Sequence, residues 1–511
     1  MSQVRSPLPG TGPAPRQARR RPAMRIVDAH ASGETLDAET YALDVAAVLR
    51  ERGVGAGHRV LLKADNSALY AAALLALVHL DASIVVLDGQ QTTEETHRLA
   101  RIADLRFALL DDHAQAPANI GSLSMSELAL TARQVAEESP DATPRKKFSA
   151  EKWRSRSDSL VLWSSGTTGE PKGVVKSGRA FLENLERTRR LMGYRDDDVL
   201  LPLLPFSHQY GLSLILLAWI AGGSLLVAPY TRLDRALALG ALHGATVVDA
   251  TPATYRSVLN LRDRRPGLLS GLDRVRMWCT GGAPMDRDLG RHFLEAIGAP
   301  LLDGYGSTEA GNVAFATAGN PAGCGQTLDG IEVCIAGEDR RHLPPGQVGE
   351  IWLRTPDLME GYLTGEGELT GPRPGPYRTG DLGYLDEEGN LYVLGRKSAV
   401  HRMGHTLYPE VLERKAEACG RPVKIIPLED ARRGHELVFV VEDPASGDPL
   451  HWRERLCALL APFEEPNHVL VVDRFPLNCN GKTDVSGLAA HVSRSLARRV
   501  PARAHAADRT E

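Results

Sequence analysis

Apolar positions along the chain switch between two spacings. At 41–52 and 67–79 they recur at three- and four-residue steps, which predicts helices. At 59–63, 83–87 and 105–110 they form short unbroken runs, which predict buried strands. The alternation continues with strands at 246–250 and 275–279 and a helix at 285–296, each close to a loop bearing glycine or proline. This is an α/β pattern, and open α/β sheets bind ligands in such loops.

One segment, LSLILLAWIAGGSLLVAP at 212–229, comes close to the length of a membrane span. Gly222 and Gly223 split it and no basic flank follows, so it predicts a buried helix running into a short buried strand. TGEGELTGPRPGP at 364–376 has no apolar period and predicts an exposed loop. After Arg396 the texture becomes a compact α+β unit: helix 409–419, strands 423–427 and 437–441, helix 451–459 and strand 469–472. The expected division is a disordered extension at 1–24, with Met24 a candidate start, a large domain at 25–396, a small one at 397–490 and a tail at 491–511, frayed or disordered from Ser493.

A chain of 511 residues exceeds the roughly 250–300 at which one core stops growing, so several cores are expected. Lys and Arg number 60 against 64 Asp and Glu; the net charge of -4 gives no reason to propose nucleic acid as partner. The six cysteines, Cys279, Cys324, Cys334, Cys419, Cys457 and Cys479, form no CxxC pair and have no histidine at zinc spacing, which fits a reducing cytoplasm. The proline- and arginine-rich stretch 6–22 precedes no apolar run and does not read as a secretory signal.

Chemistry concentrates in WSSGTTGEPKGVV at 163–175. Gly166 and Gly169 let main-chain N–H groups approach an anion, Ser164, Ser165, Thr167 and Thr168 add donors, and Lys172 adds charge, so phosphate is the natural guest. Gly173 after Lys172 excludes a Walker A loop, which needs Ser or Thr there. In DGYGSTE at 303–309, Tyr305 offers a face for a purine, Asp303 an acceptor for its amine and Glu309 a carboxylate suited to Mg²⁺. Asp381, in YRTGD, suits bidentate acceptance from a ribose diol, with Arg396 on the same sugar, or equally a turn cap. His208 and Tyr210 on their own read as core residues or pocket lining, and Asp249 as a pocket wall or a loop residue.

Together with PFSHQYG at 205–211, GGAP at 281–284, GEIWLRT at 349–355, YRTGDLGYLDEEGNLYVLGR at 377–396 and NGK at 480–482, these motifs resemble, in order, those of the adenylate-forming superfamily. That superfamily includes acyl- and aryl-CoA ligases, stand-alone adenylation domains and firefly luciferase. The resemblance covers about 35–488. It implies an α/β fold, with a large multi-subdomain N-terminal adenylation domain and a small mobile α+β C-terminal domain. It further implies an ATP-dependent ligase that forms an acyl- or aryl-adenylate with release of pyrophosphate, then a thioester with coenzyme A or a carrier protein's phosphopantetheine.

By the same resemblance the phosphates lie on 164–169 and Lys172, and Mg²⁺ on Glu309 and Thr167. Adenine lies by Gly282, Ala283, Asp303, Gly304, Tyr305 and Gly306, with Thr308 near the α-phosphate. The acid lies by His208, Tyr210, Gly211, Gly281 and Gly304. Arg402 is implied near the phosphate, Gly404 and His405 along the pantetheine tunnel, and Lys482 as the cation that bridges carboxylate and α-phosphate. His208 followed by Tyr210 resembles the aryl-CoA ligase variant, a pointer to an aromatic acid. The hinge departs from the pattern with Ser398 and Ala399, and Val485 replaces a common basic residue. Two other readings stay open: an adenylating enzyme that delivers to a nitrogen nucleophile or uses ATP to activate a group other than a carboxylate, and a nucleotide-binding pseudoenzyme.

Overall fold

In a computed structural model of the chain, the described residues are 23–497, apart from 30–32, 90, 139–146, 166–170, 286, 366, 397–399, 403–404, 431–433, 461–463 and 479–481. Two large sheets carry the fold. In the nine-stranded sheet, parallel strands Leu301–Ser307, Met277–Gly281, Val247–Ala250, Val199–Pro202, Ser224–Val227 and Arg25–Asp28 lie side by side. In the eight-stranded sheet, Leu160–Ser165, Ser83–Val86, Arg59–Lys63, Phe107–Leu110 and Gly121–Ser124 run parallel, and Pro171–Lys176 returns antiparallel beside the first of them. Short continuous apolar runs such as SIVV and FALL are buried at every residue, as strands covered on both faces must be.

Helices Ala68–His79 and Gln209–Ala221 are apolar on nearly every side, and both are buried. One hydrophobic cluster joins them to strands of both sheets, so the sheets share a core. The run at 212–229 breaks where expected: Gly222, at φ 74°, caps the helix in the left-handed region, and Ser224–Val227 begins the strand. Among the described residues no helix is long and apolar enough to cross a membrane.

The expected loop at 364–376 contains the short strand Leu369–Thr370, paired antiparallel with Gly361–Leu363. A pair of main-chain hydrogen-bonding residues needs no apolar periodicity, so the sequence did not signal it. Beyond Arg396 the compact unit is a three-stranded sheet, Val423–Asp430, Gly434–Glu442 and His468–Val472, with helices Pro409–Ala416 and Pro449–Cys457. Helix Val485–Ala497 crosses the expected boundary at 490/491, with buried Leu488 and Val492 packed beside Val438 and Val440. Residues 1–22 of the expected extension, and Ser398 and Ala399 of the hinge, lie outside the described residues; Met24 is buried at the head of a strand.

A buried cluster ties the two sheets together. Lys176, on strand Pro171–Lys176, is 0% exposed and donates from Nζ to the carbonyls of Glu309 (3.0 Å) and Asp357 (2.9 Å). The Asp357 carboxylate accepts from Asn184 at 2.9 Å and pairs with Arg187, and Asn184 also bonds the main chain of Asn312. Burial lowers the Lys176 ammonium to about 8, opposed chiefly by Asp357. Asp357→Ala removes that counter-charge and should cost about 3–5 kcal/mol. The midpoint of the first urea unfolding transition should fall accordingly; an unchanged midpoint would show that the cluster does not support the fold.

Candidate active site

Loops at the C-terminal ends of the parallel strands enclose a cleft of about 1100 Å³. Asp88 enters after Ser83–Val86, His208 to Tyr210 after Val199–Pro202, Asp249 from Val247–Ala250, Gly281 and Gly282 from the end of Met277–Gly281, and 304–309 from Leu301–Ser307 and the turn that follows. Lys172, Tyr362, Tyr377, Arg396 and Lys482 complete the walls.

Three zones can be distinguished. In the first, Asp381 is 7% exposed; its Oδ2 accepts from the Tyr305 hydroxyl at 2.6 Å, and its Oδ1 lies 3.1 Å from Arg396 Nε. Arg396 also donates to the Thr379 carbonyl at 2.9 Å. Burial pushes the Asp381 carboxyl up, while Arg396 and Tyr305 pull it down.

In the second zone, Lys172 Nζ stands 5.5 Å from the centre of the Tyr362 ring, and the Tyr362 hydroxyl donates to Glu309 Oε1 at 2.9 Å. Thr308 lines the same wall. Lys482 is exposed as a residue, yet its side chain reaches in: a Cβ added to Gly282, at φ 80°, would come 3.7 Å from Lys482 Cε. Burial of the ammonium end lowers Lys482 from its ordinary value, Arg396 lowers it further and Asp381 opposes both.

The third zone is largely apolar, with Met192, Tyr194, Leu214, Leu217 and Cys279. His208 Nε2 lies 3.4 Å from Asp88 Oδ2, which also accepts from Ser207 Oγ at 2.7 Å. The Tyr210 hydroxyl donates to Asp249 Oδ1 at 2.9 Å, and the side of Gly281 that lacks a Cβ faces the Tyr210 ring. Burial pushes the Asp249 carboxyl up to about 7, against the pull of Tyr210.

The cleft thus brings together Lys172, His208, Tyr210, Gly281, Gly282, Gly304, Tyr305, Gly306, Thr308, Glu309, Arg396 and Lys482, with Asp381 held just behind Tyr305. Asp303 was expected at the purine. Its carboxylate instead is buried away from the cleft, accepts from Cys324 Sγ at 3.4 Å and is pushed up to about 7 by burial. Gly304, Tyr305 and Gly306, the next three residues of the strand, line the cleft where Asp303 does not.

Gly211 does not line the cleft either; a Cβ there would come 2.1 Å from the Pro205 carbonyl oxygen, so it is a packing glycine. Ala283 is off the lining, and Arg402 is buried elsewhere, donating to the Glu465 carbonyl at 2.6 Å. Gly166, Thr167, Thr168, Gly169 and Gly404 lie outside the described residues, as do the side chains of Ser164, Ser165 and His405. Asp88, Tyr362, Tyr377 and Lys176 were not expected. Asp88 had a signal, a carboxylate directly after a buried strand; the tyrosines flank a loop whose fold the sequence pattern hides.

The model of the AMP-binding enzyme family matches residues 15–363. The rice (Oryza sativa subsp. japonica) 4-coumarate–CoA ligase 5 is 29% identical over 504 residues, covering 91% of each chain. A 2-succinylbenzoate–CoA ligase of Enterococcus faecalis is 26% identical over 438 residues, covering 83% of this chain and 86% of that one. The solved structure of ATP-bound MatB from Rhodopseudomonas palustris superposes with a TM-score of 0.78 at 25% identity, covering 92% of this chain and 95% of that one.

The packing role of Gly211 gives a prediction. Gly211→Ala must push helix Gln209–Ala221 away from Pro205, an overpacking worth about 1–3 kcal/mol. The thermal midpoint should fall and all acids should be used less well in proportion. A selective change in the preference among acids at unchanged stability would contradict that role.

Proposed function

Because the chain belongs to the AMP-binding enzyme family, we propose that this cleft joins a carboxylic acid to ATP as an acyl-adenylate, then passes the acyl group to the thiol of coenzyme A. The observation that carries the reading is the convergence of Lys172, Lys482 and Glu309 between the Tyr305–Asp381–Arg396 cluster and an apolar zone. Such a cleft can hold a nucleotide at one end and an acyl chain at the other, with its cations where the two meet.

In the first step a carboxylate oxygen attacks the α-phosphorus, the bond from that phosphorus to the bridging oxygen breaks, and pyrophosphate leaves with the electron pair. Lys482 holds the carboxylate against the α-phosphate and offsets charge that builds there, and Lys172 offsets charge on the leaving phosphates. Asp381 and Arg396 orient the ribose, and Tyr305 and the adjoining glycines take the adenine. Glu309, a hard oxygen donor opposite Lys172, fits Mg²⁺ together with phosphate oxygens, and among the described residues no cluster of three or more His, Cys, Asp or Glu competes for it. When bound, the ion neutralises phosphate charge. In the second step the thiol sulfur attacks the carbonyl carbon and AMP leaves, with His208, steadied by Asp88, at the thiol's approach.

Coenzyme A as acceptor and an aromatic acid as substrate are supported by two relatives, named for 4-coumarate and 2-succinylbenzoate, and by His208 with Tyr210. A carrier protein's phosphopantetheine presents the same thiol and is the alternative acceptor. The small unit after Arg396 is the mobile domain, which carries Lys482 into the site for the first step and away for the second. The buried thiols Cys279, Cys324 and Cys419 suit a reducing cytoplasm.

A group present in one orientation only can stabilise only one of the two transition states. Lys482→Ala should therefore slow acid-dependent pyrophosphate release by about 10²-fold or more. The same variant should convert a chemically supplied acyl-adenylate to the CoA thioester at nearly the normal rate. Equal loss in both half-reactions would refute the two-orientation reading. No pyrophosphate release with any acid, even with hydroxylamine as acceptor, would refute carboxylate activation itself.

A further inference from the structure

Along Val247–Ala250, Val248 and Ala250 enter one hydrophobic core and Val247 enters the other, the one that contains Cys279 and packs against Tyr210. Asp249 follows the alternation to the Val247 side, where an apolar residue would be expected. It is 1% exposed and borders the cleft, and its Oδ2 has no hydrogen-bond partner among the described residues. Among the described residues its Oδ1 accepts from Tyr210 alone. The neighbouring Tyr255 hydroxyl is spent on the carbonyls of Val248 (2.9 Å) and Cys279 (3.0 Å). A buried carboxylate oxygen left without a donor is costly, and a site that keeps one gains when a ligand supplies the missing donor.

Resting on the carboxylate-activating reading above, we propose that the acid taken by this cleft carries a hydrogen-bond donor, an amino or hydroxyl group, at the end remote from its carboxylate, and that Asp249 Oδ2 accepts from it. The acid's reacting end belongs beside Lys482 and Gly282, so Asp249 on the apolar floor meets its far end. The Tyr210 hydrogen bond fixes the Asp249 carboxylate so that Oδ2 is the oxygen left to the ligand. An acid with a methyl group in place of the donor leaves that oxygen unpaired and is rejected, the stronger kind of discrimination available to a pocket.

The test is acid-dependent pyrophosphate release by the full-length protein with matched benzoic and cinnamic acids bearing amino, hydroxyl or methyl groups on the ring. The wild-type kcat/KM should favour the best amino or hydroxyl acid over its methyl counterpart by about tenfold or more, the factor one hydrogen bond to a charged group supplies. Asp249→Leu should abolish or invert that preference, Asp249→Asn should weaken it, and the KM for ATP should stay the same in both. Equal use of methyl and donor-bearing acids by the wild type, or a preference that survives Asp249→Leu, would overturn the assignment. Pyrophosphate release from no acid at all would instead overturn the carboxylate-activating reading, and the assignment with it.

Discussion

The site depends on one buried cation. Lys176 crosses from the eight-stranded sheet to grip the main chain of Glu309, which belongs to the turn after a strand of the nine-stranded sheet. Because side chains in a strand alternate with period two, Lys172 and Lys176 share a face of Pro171–Lys176. One lysine reaches the cleft and the other anchors its opposite wall. The separation of Lys172 from Glu309 is therefore set by a fully desolvated contact rather than by loop conformation, and Asp357, held by Arg187 and Asn184, supplies the largest opposing charge. Burying that lysine costs desolvation that only a rigid, fully bonded geometry offsets, which makes it a fixed strut between the sheets.

On that frame the cleft sorts its charges by zone. Tyr305, Asp381 and Arg396 form a network in which each polar group fixes the next. Lys482 and Asn478 are joined by two hydrogen bonds, from Lys482 N–H to Asn478 Oδ1 and from Asn478 N–H to the Lys482 carbonyl, and Lys482 brings a cation from the last part of the chain beside Gly282. Burial and then the nearby Arg396 hold its ammonium below the ordinary value, with Asp381 opposing. Among its described lining the largely apolar zone carries no lysine or arginine; its polar groups include the Asp88, Ser207 and His208 set and the Tyr210–Asp249 pair.

Much of this was legible in the sequence. Strand 59–63 was read to the residue, because its Val-Leu-Leu centre is an unbroken apolar run, and the glycine break at 222 was read because only glycine takes that φ cheaply. Motif order identified Lys172, His208, Tyr305, Glu309, Arg396 and Lys482 in the cleft. Direction was less legible: Asp303, Gly211 and Arg402 carry the right chemistry in the right motifs, yet their side chains or Cβ positions face the interior. Side-chain facing follows from sheet register, and register is set by partners far away in sequence. Lys176, Asp88 and Tyr362 were missed for the same reason, since each matters through a contact with a distant segment.

If nucleotide and acid meet in this one cleft across Lys482, a single ligand can engage both of its ends. Calorimetric titration with an unreactive acyl-adenylate mimic, in which a sulfamate replaces the phosphate, tests it most directly. Binding should be tighter than that of AMP or the free acid by about 10²-fold or more, since a mimic of the intermediate engages both ends of the cleft and its cations at once. A mimic that binds no tighter than AMP would contradict it.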